Sequence, residues 1–315
     1  MNIYKLKNLF VCLLFVACSG KSGAKVQDEK VGAVYAESAD SDSEKVLVDL
    51  QMIYATDADR EIFEKYLEHI EAFDSFLESE LIIETARFFM DKPYVAHTLE
   101  IEPEGLVVNL REFDCTTFVE TVLALSRTVF IKNQPLFEDF CNQLLNIRYR
   151  RGTITDYTSR IHYFSDWIYE NETRGHVTDI TKNVGGVSYS VNVNYMSGHS
   201  DSYKQLKSNE KYVEVIKKQE AVISARDVYS YIPEEKIKVC EQGMRNGDIV
   251  CFVTDIEGLD ISHTGFVYYE KDVVTFIHAS STAKKVIANP QPITGYVEKN
   301  KSVKGLMIVR PQSWK

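Results

Sequence analysis

Residues 111–120 read Arg-Glu-Phe-Asp-Cys-Thr-Thr-Phe-Val-Glu, and an apolar pattern with helical spacing follows directly. This pattern predicts a central helix over 115–130 with Asp114 as its N-cap. Cys115 then lies in the first helical turn, where unpaired backbone N–H groups and the positive end of the helix dipole stabilise a thiolate. A cysteine in this position is either a small buried residue or a nucleophile.

Two histidines further along the chain favour the nucleophile. His263 stands near the start of the β-rich run Ile-Ser-His-Thr-Gly-Phe-Val-Tyr-Tyr, and His278 stands near the end of the run Val-Val-Thr-Phe-Ile-His-Ala-Ser-Ser. A cysteine nucleophile needs a base that takes its proton and a third polar group that orients the base. We therefore predict that Cys115 attacks an amide carbonyl, that His263 is the general base and acid, and that His278 orients His263.

The order of the predicted elements indicates an α+β domain. Besides the central helix, helices are predicted at 59–76, 81–90, 136–147 and 161–169, and strands at 106–110, 187–193, 248–254, 263–269, 273–277 and 303–309. Because most helices precede most strands, we expect the central helix to pack on an antiparallel sheet and to place Cys115 beside both histidines. The stretch 140–242 is much longer than a simple connection, so we interpret it as an inserted subdomain that shapes the substrate groove.

The same segments resemble the sequence boxes of the NlpC/P60 cysteine hydrolases: Asp-Cys-Thr before a helix, then His-Thr-Gly-Phe and Phe-Ile-His-Ala-Ser. Lys-Pro-Tyr at 92–94, the stretch 111–120 and Ser-Arg-Ile-His-Tyr-Phe-Ser-Asp-Trp at 159–167 are more narrowly similar to the DUF1460 branch. The resemblance spans 81–310. It implies a papain-like fold and hydrolysis of the N-acetylmuramoyl–L-alanine amide bond in peptidoglycan fragments, and it leaves open a preference for anhydro-muropeptides.

Two alternative functions stay open. A γ-D-glutamyl–diamino-acid endopeptidase would represent the commoner NlpC/P60 activity. A lipoprotein that binds peptidoglycan fragments without turning them over would use the same cleft. The residues alone indicate acyl transfer at an amide, and only the resemblance implies which bond is cut.

Two further residues, Tyr94 and Asp114, have counterparts in the family. The resemblance implies that Tyr94 offers its hydroxyl group to the tetrahedral oxyanion, with the backbone N–H of Cys115 as the second donor; otherwise Tyr94 packs in the core. Asp114 either caps the helix, which is worth about 1 kcal/mol, or holds a free α-amino group of the substrate. Because the nitrogen of a lactyl–L-alanine amide carries no free charge, we favour the capping role.

A cluster of aromatic and basic side chains is the candidate substrate-binding surface. His162, Tyr163 and Trp167 lie at helical spacings, and Arg160 precedes them. Aromatic rings stack on a sugar ring, and a guanidinium group pairs with a carboxylate. The alternative is an amphipathic helix that packs its aromatic residues in the core. Arg111 is similarly ambiguous between a substrate carboxylate and a salt bridge.

The N-terminus resembles a bacterial lipoprotein signal. Two lysines, Lys5 and Lys7, precede a short apolar run, and Cys18 follows that run directly. The run is too short to span a bilayer, and a charged start, an apolar centre and a small residue before the cleavage point are typical of signal peptides. A secretory signal without lipidation is the alternative. We predict that a lipidated Cys18 anchors the exported chain to a membrane.

This interpretation divides the chain into three parts. The signal peptide covers 1–17, the lipidated cysteine and a flexible linker cover 18–56, and the papain-like amidase domain covers 57–315. The residues after Cys18 include no acidic run. We therefore expect an anchor at the periplasmic face of the outer membrane.

Composition excludes other classes of partner. Lys and Arg number 36 against 46 Asp and Glu, so the net charge is −10, and loss of 1–17 with its two lysines makes it −12. An acidic chain without a basic cluster argues against nucleic-acid binding.

The histidines lack metal-binding spacings and no glycine-rich phosphate loop precedes a helix, so we expect no metal and no cofactor. The four cysteines after Cys18 are irregularly spaced, so we expect no disulfide framework, and the sequence leaves one structural pair open. We expect a monomer.

Overall fold

A computed structural model describes residues 32–33, 52–73, 77–312 and 314. The predicted signal peptide, Cys18 and most of the predicted linker lie outside the described residues. Among the residues that are described, no helix is both long and apolar enough to cross a bilayer.

Ten α-helices and eleven strands make up the described fold. The helices are α1 (Asp57–Glu71), α2 (Glu78–Phe88), α3 (Cys115–Ile131), α4 (Phe137–Arg148), α5 (Phe164–Thr173), α6 (Tyr195–Gly198), α7 (Lys204–Lys207), α8 (Glu210–Ser224), α9 (Ile237–Cys240) and α10 (Ile293–Lys299). The strands are β1 (Gly32–Ala33), β2 (Ile53–Ala55), β3 (Leu106–Val107), β4 (Val177–Asp179), β5 (Val187–Ser188), β6 (Ser230–Pro233), β7 (Ile249–Thr254), β8 (Ile261–Glu270), β9 (Val273–Ser280), β10 (Lys285–Ala288) and β11 (Val303–Pro311).

The strands form one large antiparallel sheet and one small sheet. The large sheet has the order β10-β9-β8-β7-β11-β6-β5, and β4 pairs with β11. The small sheet joins β1, β2 and β3. The predicted α+β architecture with an antiparallel sheet is therefore confirmed. Since β8 and β9 are neighbours in the large sheet, the two histidine-bearing runs lie side by side.

Helix α3 is the central element and is buried on every side. It starts with a capping box, in which the backbone N–H of Thr117 donates to Asp114 Oδ1 (2.8 Å) and the backbone N–H of Asp114 donates to Thr117 Oγ1 (3.0 Å). The sequence predicted one buried stripe, but every residue from 117 to 128 is buried. The reason is that α2, α4, β8 and β9 all pack against this helix.

The helix predicted over 161–169 begins and ends later than expected. Helix α5 starts at Phe164, so the two residues predicted to share its face, His162 and Tyr163, precede it. The side chain of Tyr163 makes no capping hydrogen bond. Instead the carboxylate of Asp260, almost a hundred residues away, accepts the backbone N–H of Ser165 (2.7 Å). This long-range cap sets the start of α5, and no local pattern could have predicted it.

The stretch 140–242 shares both sheet and core with the rest of the chain. Its strands β4 and β6 both pair with β11, and its side chains belong to the same hydrophobic clusters as the central helix and the sheet. The strand predicted over 187–193 is shorter than expected, at Val187–Ser188. By Val193 the backbone N–H donates to the Ser224 hydroxyl group instead (3.0 Å).

A buried ion pair joins α3 to the end of α4. Arg148 Nε donates to Glu120 Oε2 (2.6 Å) and Arg148 Nη1 donates to the backbone oxygen of Val107 (2.6 Å). Both charged side chains are 2% exposed. A charge this deeply buried is tolerated only while its partner is present.

The pair predicts an asymmetric response to mutation. Arg148→Met leaves the Glu120 carboxylate buried without its partner, so we expect the free energy of unfolding to fall by about 3–5 kcal/mol. Adding Glu120→Leu removes that unpaired charge and should restore most of the loss. Urea unfolding of both variants measures the difference.

The matched control is the exposed pair of Lys65 and Glu61, 3.9 Å apart. Lys65→Met should cost less than about 1 kcal/mol because solvent screens this pair. A double variant no more stable than Arg148→Met would contradict the interpretation.

Candidate active site

One cavity contains most of the predicted site residues. It lies where the start of α3 meets the start of β8, and it is open to solvent. Cys115, His263, Tyr94 and Asp114 all line it. The fold therefore brings together residues that are up to 169 positions apart in the sequence.

Cys115 is the first residue of α3 and is 4% exposed. Its position at a helix N-terminus favours the thiolate through the backbone N–H groups and the helix dipole. The other described cysteines, Cys141, Cys240 and Cys251, are buried free thiols outside the cavity. Burial raises the pKa of Cys141 to about 12 and raises the pKa of Cys251 well above its ordinary value. Those two thiols stay protonated at neutral pH.

His263 and His278 are directly hydrogen-bonded. Nε2 of His263 lies 2.5 Å from Nδ1 of His278, and the two rings are nearly perpendicular. Burial, and then the neighbouring charge of His263, keep the pKa of His278 well below its ordinary value. His278 is therefore neutral, and it accepts the Nε2–H of His263 when that ring is protonated. This contact engages Nε2 of His263 and not its other ring nitrogen, Nδ1.

Gly265 makes this contact possible. It lies on β8, two residues after His263, and a Cβ atom built on it would be 2.9 Å from His278 Cβ and 2.6 Å from the backbone oxygen of Ile277. Both distances are too short for any side chain. Gly265 was not predicted as part of the site, although a glycine inside a strand pattern is a signal of close approach.

Asp114 and Tyr94 are each held by contacts with the segment around the start of α3. Asp114 Oδ1 accepts from both the backbone N–H and the hydroxyl group of Thr117, so capping accounts for this oxygen. Tyr94 is held by a backbone hydrogen bond to Lys284 (2.9 Å) and by a bridge to Phe113, the residue before Asp114. Tyr94 is thus attached to the segment that leads into α3.

Arg160 lines the cavity but is fully engaged by the protein. Its guanidinium nitrogens donate to Glu100, to Glu104 and to the backbone oxygen of Leu99, at 2.8–3.0 Å. The predicted pairing with a substrate carboxylate would have to displace these buried bonds. The structure therefore assigns Arg160 to the cavity wall.

His162 is a neutral member of the cavity wall. Its Nε2 lies 2.9 Å from the backbone oxygen of Tyr157. Burial, and then the charge of Arg160, lower the pKa of His162 to about 3. Its ring is therefore neutral at physiological pH.

Tyr163 and Trp167 line the cavity with mostly buried side chains. The hydroxyl group of Tyr163 donates to Glu220 (2.7 Å) and accepts the backbone N–H of Met196 (2.9 Å). Trp167 stacks on Phe164 with ring centroids 4.8 Å apart. Their first role is to support the wall, as in the alternative interpretation of this cluster.

Arg111 forms a contact that matches one of the two roles left open for it by the sequence. It does not line the cavity. Its Nε donates to Asp59 Oδ1 (3.2 Å), and the same carboxylate oxygen accepts the backbone N–H of Leu110 (2.8 Å). Of the two alternatives weighed for Arg111, the structure shows the salt bridge.

Several cavity residues were not predicted. Glu120, Arg148, Tyr195, Tyr203 and Asp260 all line the cavity and all are buried. Glu120 could have been identified from the sequence, because an acidic residue inside an apolar helix needs a buried partner. The others depend on long-range contacts. Among the described residues, no three His, Cys, Asp or Glu side chains are grouped as a metal site.

Solved structures similar to this chain include amidases. Two crystal structures of an N-acetylmuramoyl-L-alanine amidase from Bacteroides uniformis are 34% and 35% identical to this chain. Each superposition covers 75% of this chain and 99% of the amidase chain, with a TM-score of 0.70. A Legionella pneumophila protein with the family model DUF1460 shares the fold at 22% identity and a TM-score of 0.62. That superposition covers 81% of this chain and 95% of the Legionella chain.

Among curated proteins, none matches this chain significantly. A family model does match: the AmiA-like model, described as N-acetylmuramoyl-L-alanine amidase-like, aligns with residues 84–306. This range includes Cys115, His263 and His278 together with the cavity around them. The chain belongs to the N-acetylmuramoyl-L-alanine amidase-like family.

Proposed function

We propose that this protein hydrolyses the amide bond between N-acetylmuramic acid and L-alanine in peptidoglycan fragments, with Cys115 as the nucleophile. The observation that carries the proposal is that Cys115 and His263 line one cavity while His278 holds the far nitrogen of His263. Family membership and the names of the similar amidases support the choice of bond.

The geometry suits a two-step thioester mechanism. The Cys115 thiolate adds to the lactyl carbonyl carbon, and the C–N bond breaks as protonated His263 gives its proton to the L-alanine nitrogen. Water then loses a proton to His263 and adds to the thioester, and the C–S bond breaks to release the thiolate and the carboxylate of muramic acid. The backbone N–H of Cys115 and the hydroxyl group of Tyr94 would stabilise the two oxyanions.

A papain-like arrangement of the NlpC/P60 type fits this chemistry. The nucleophile stands at the start of a buried helix, and the base stands on an antiparallel strand packed against that helix. We propose this relationship on the order of the elements together with the Cys and His sequence boxes.

The hydrogen bond between His263 and His278 would stabilise the positive charge that forms on His263 during the reaction. During attack His263 becomes an imidazolium, whose charge in a mostly buried site needs an acceptor. Neutral His278 provides that acceptor at Nδ1 without adding a second positive charge. His278 is thus a positioning residue that holds Nδ1 of His263 toward the cavity.

We also propose that the protein is exported and lipid-anchored through Cys18, with its catalytic domain in the periplasm. The support is the charged start, the short apolar run and the cysteine that follows it. Peptidoglycan lies in that compartment, so the localisation and the substrate are consistent with each other.

The reaction products identify which bond the protein hydrolyses. Digestion of a purified muropeptide should release peptides with a free amino group on L-alanine, as identified by mass spectrometry. Cys115→Ala should lower this rate at least about a thousandfold, because the remaining groups cannot form the thioester. A free amino group on the diamino acid would instead indicate the endopeptidase.

Cys240→Ala is the matched control, because Cys240 is a buried thiol outside the cavity. It should retain activity within about threefold, as a small change remote from the reacting atoms. Activity of Cys115→Ala within tenfold of the wild type would reject the nucleophile.

Replacements of His278 should separate orientation from proton transfer. His278→Gln keeps an oxygen acceptor for Nε2–H of His263, so we expect it to lose about tenfold in kcat/KM, whereas His278→Ala should lose about a hundredfold or more. KM should change little in both variants, because His278 does not line the cavity. Equal activity of the two variants would contradict an orienting role.

The anchor predicts where the protein is found after cell fractionation. The wild type should partition with membranes, whereas Cys18→Ser should lose the acyl chains that hold it there. Mass spectrometry of the N-terminal peptide checks for the acyl chains directly. Membrane association of a cleaved Cys18→Ser protein would rule out the lipid anchor.

A further inference from the structure

His162 occupies a wall of the cavity that the proposed chemistry does not use. It is half-buried and follows the single helical turn Tyr157–Ser159. Its ring lies against the ring of Tyr157, with centroids 4.5 Å apart. The ring is therefore fixed in orientation before any ligand enters.

The hydrogen bond to Tyr157 determines which nitrogen of His162 carries the proton. The partner of Nε2 is a backbone carbonyl oxygen at 2.9 Å, and a carbonyl oxygen can only accept. Nε2 must therefore carry the hydrogen. A neutral imidazole protonated at Nε2 has a bare lone pair at Nδ1.

The surroundings keep this ring neutral. Burial and the Arg160 guanidinium lower the pKa of His162 to about 3. Within the part of the chain that is described, Nδ1 of His162 has no hydrogen-bond partner, and it is not among the polar atoms sealed from solvent. An acceptor nitrogen is thus available at the cavity surface.

The charges around the cavity disfavour an anionic ligand group. The lining includes four carboxylates (Glu100, Asp114, Glu120 and Asp260) and two guanidinium groups (Arg148 and Arg160). Both arginines are already paired with glutamates, Arg148 with Glu120 and Arg160 with Glu100 and Glu104. An acceptor in such a cavity is complementary to a neutral group that donates a hydrogen bond.

We propose that Nδ1 of His162 accepts a hydrogen bond from an N–H or O–H group on the uncharged sugar part of the substrate. The choice of a sugar rests on the proposed function, because N-acetylmuramic acid carries an amide N–H and hydroxyl groups and has its carboxyl group blocked by the scissile amide. The hydrogen on Nε2 rests on the contact with Tyr157, and the unprotonated Nδ1 rests in addition on the burial that keeps the ring neutral. His162 then selects for a donor at this position and against a carboxylate.

The first test needs no ligand. In protein labelled with ¹⁵N-histidine, the resonances of His162, assigned by comparison with His162→Gln, should show a protonated Nε2 and an unprotonated Nδ1 throughout pH 5–8. A ring protonated at Nδ1, or charged at pH 6, would overturn the inference whatever the substrate is.

The second test measures binding in the inactive Cys115→Ala protein, with N-acetylmuramoyl-L-alanyl-D-isoglutamine as the ligand. His162→Phe keeps a ring but removes the acceptor, so Kd should rise about tenfold, which corresponds to about 1.4 kcal/mol for one hydrogen bond. His162→Gln can donate to the Tyr157 oxygen and still accept from the ligand, so its Kd should stay within about threefold.

His199→Phe is the matched control. His199 also bonds a backbone carbonyl oxygen, with Nδ1 2.9 Å from the oxygen of Tyr195, but it does not line the cavity. Its replacement should leave Kd unchanged. Unchanged binding in His162→Phe would overturn the inference, whereas a Cys115→Ala protein that does not bind the muropeptide at all would overturn the proposed function and the sugar assignment together.

Discussion

The burial of helix α3 on all sides is the constraint on which the site depends. Neighbouring helices and the strands β8 and β9 pack against it, so the helix cannot shift along its axis without disturbing the whole core. The capping box between Asp114 and Thr117 fixes where the first turn begins. Cys115 therefore has one possible position relative to the strand that carries His263, and the cavity lies between them.

Around that cavity, arginine side chains are already paired with glutamates of the same chain. Arg148 is paired with Glu120, and Arg160 is paired with two glutamates of the segment that precedes α3. Buried pairs of this kind add little net stability, because desolvation offsets their attraction. What they provide is a wall whose side chains each have one low-energy arrangement, which suits a site that must hold a substrate in a fixed orientation.

Local chemistry explains which features were predictable from sequence. The N-cap at Asp114, the apolar spacing of α3 and the β-rich runs around His263 and His278 are all short-range patterns, and the structure has them where they were predicted. Features that a distant residue decides were not predictable. Asp260 sets the start of α5, which lies later than predicted. The partner of Arg111 is Asp59 on helix α1, which is why the sequence left two roles open for this arginine. The pairing of the stretch 140–242 with β11 likewise depends on long-range contacts.

The close approach at Gly265 has a consequence for how this site could change over generations. The absent side chain at 265 makes room for His278, so the two positions share one volume. A side chain at 265 would also meet the backbone oxygen of Ile277, so a smaller residue at 278 would not be enough to accommodate it and the neighbouring strand would have to move. Moving that strand would displace His278 and leave His263 without its acceptor, so a position with no functional group of its own constrains the histidine pair.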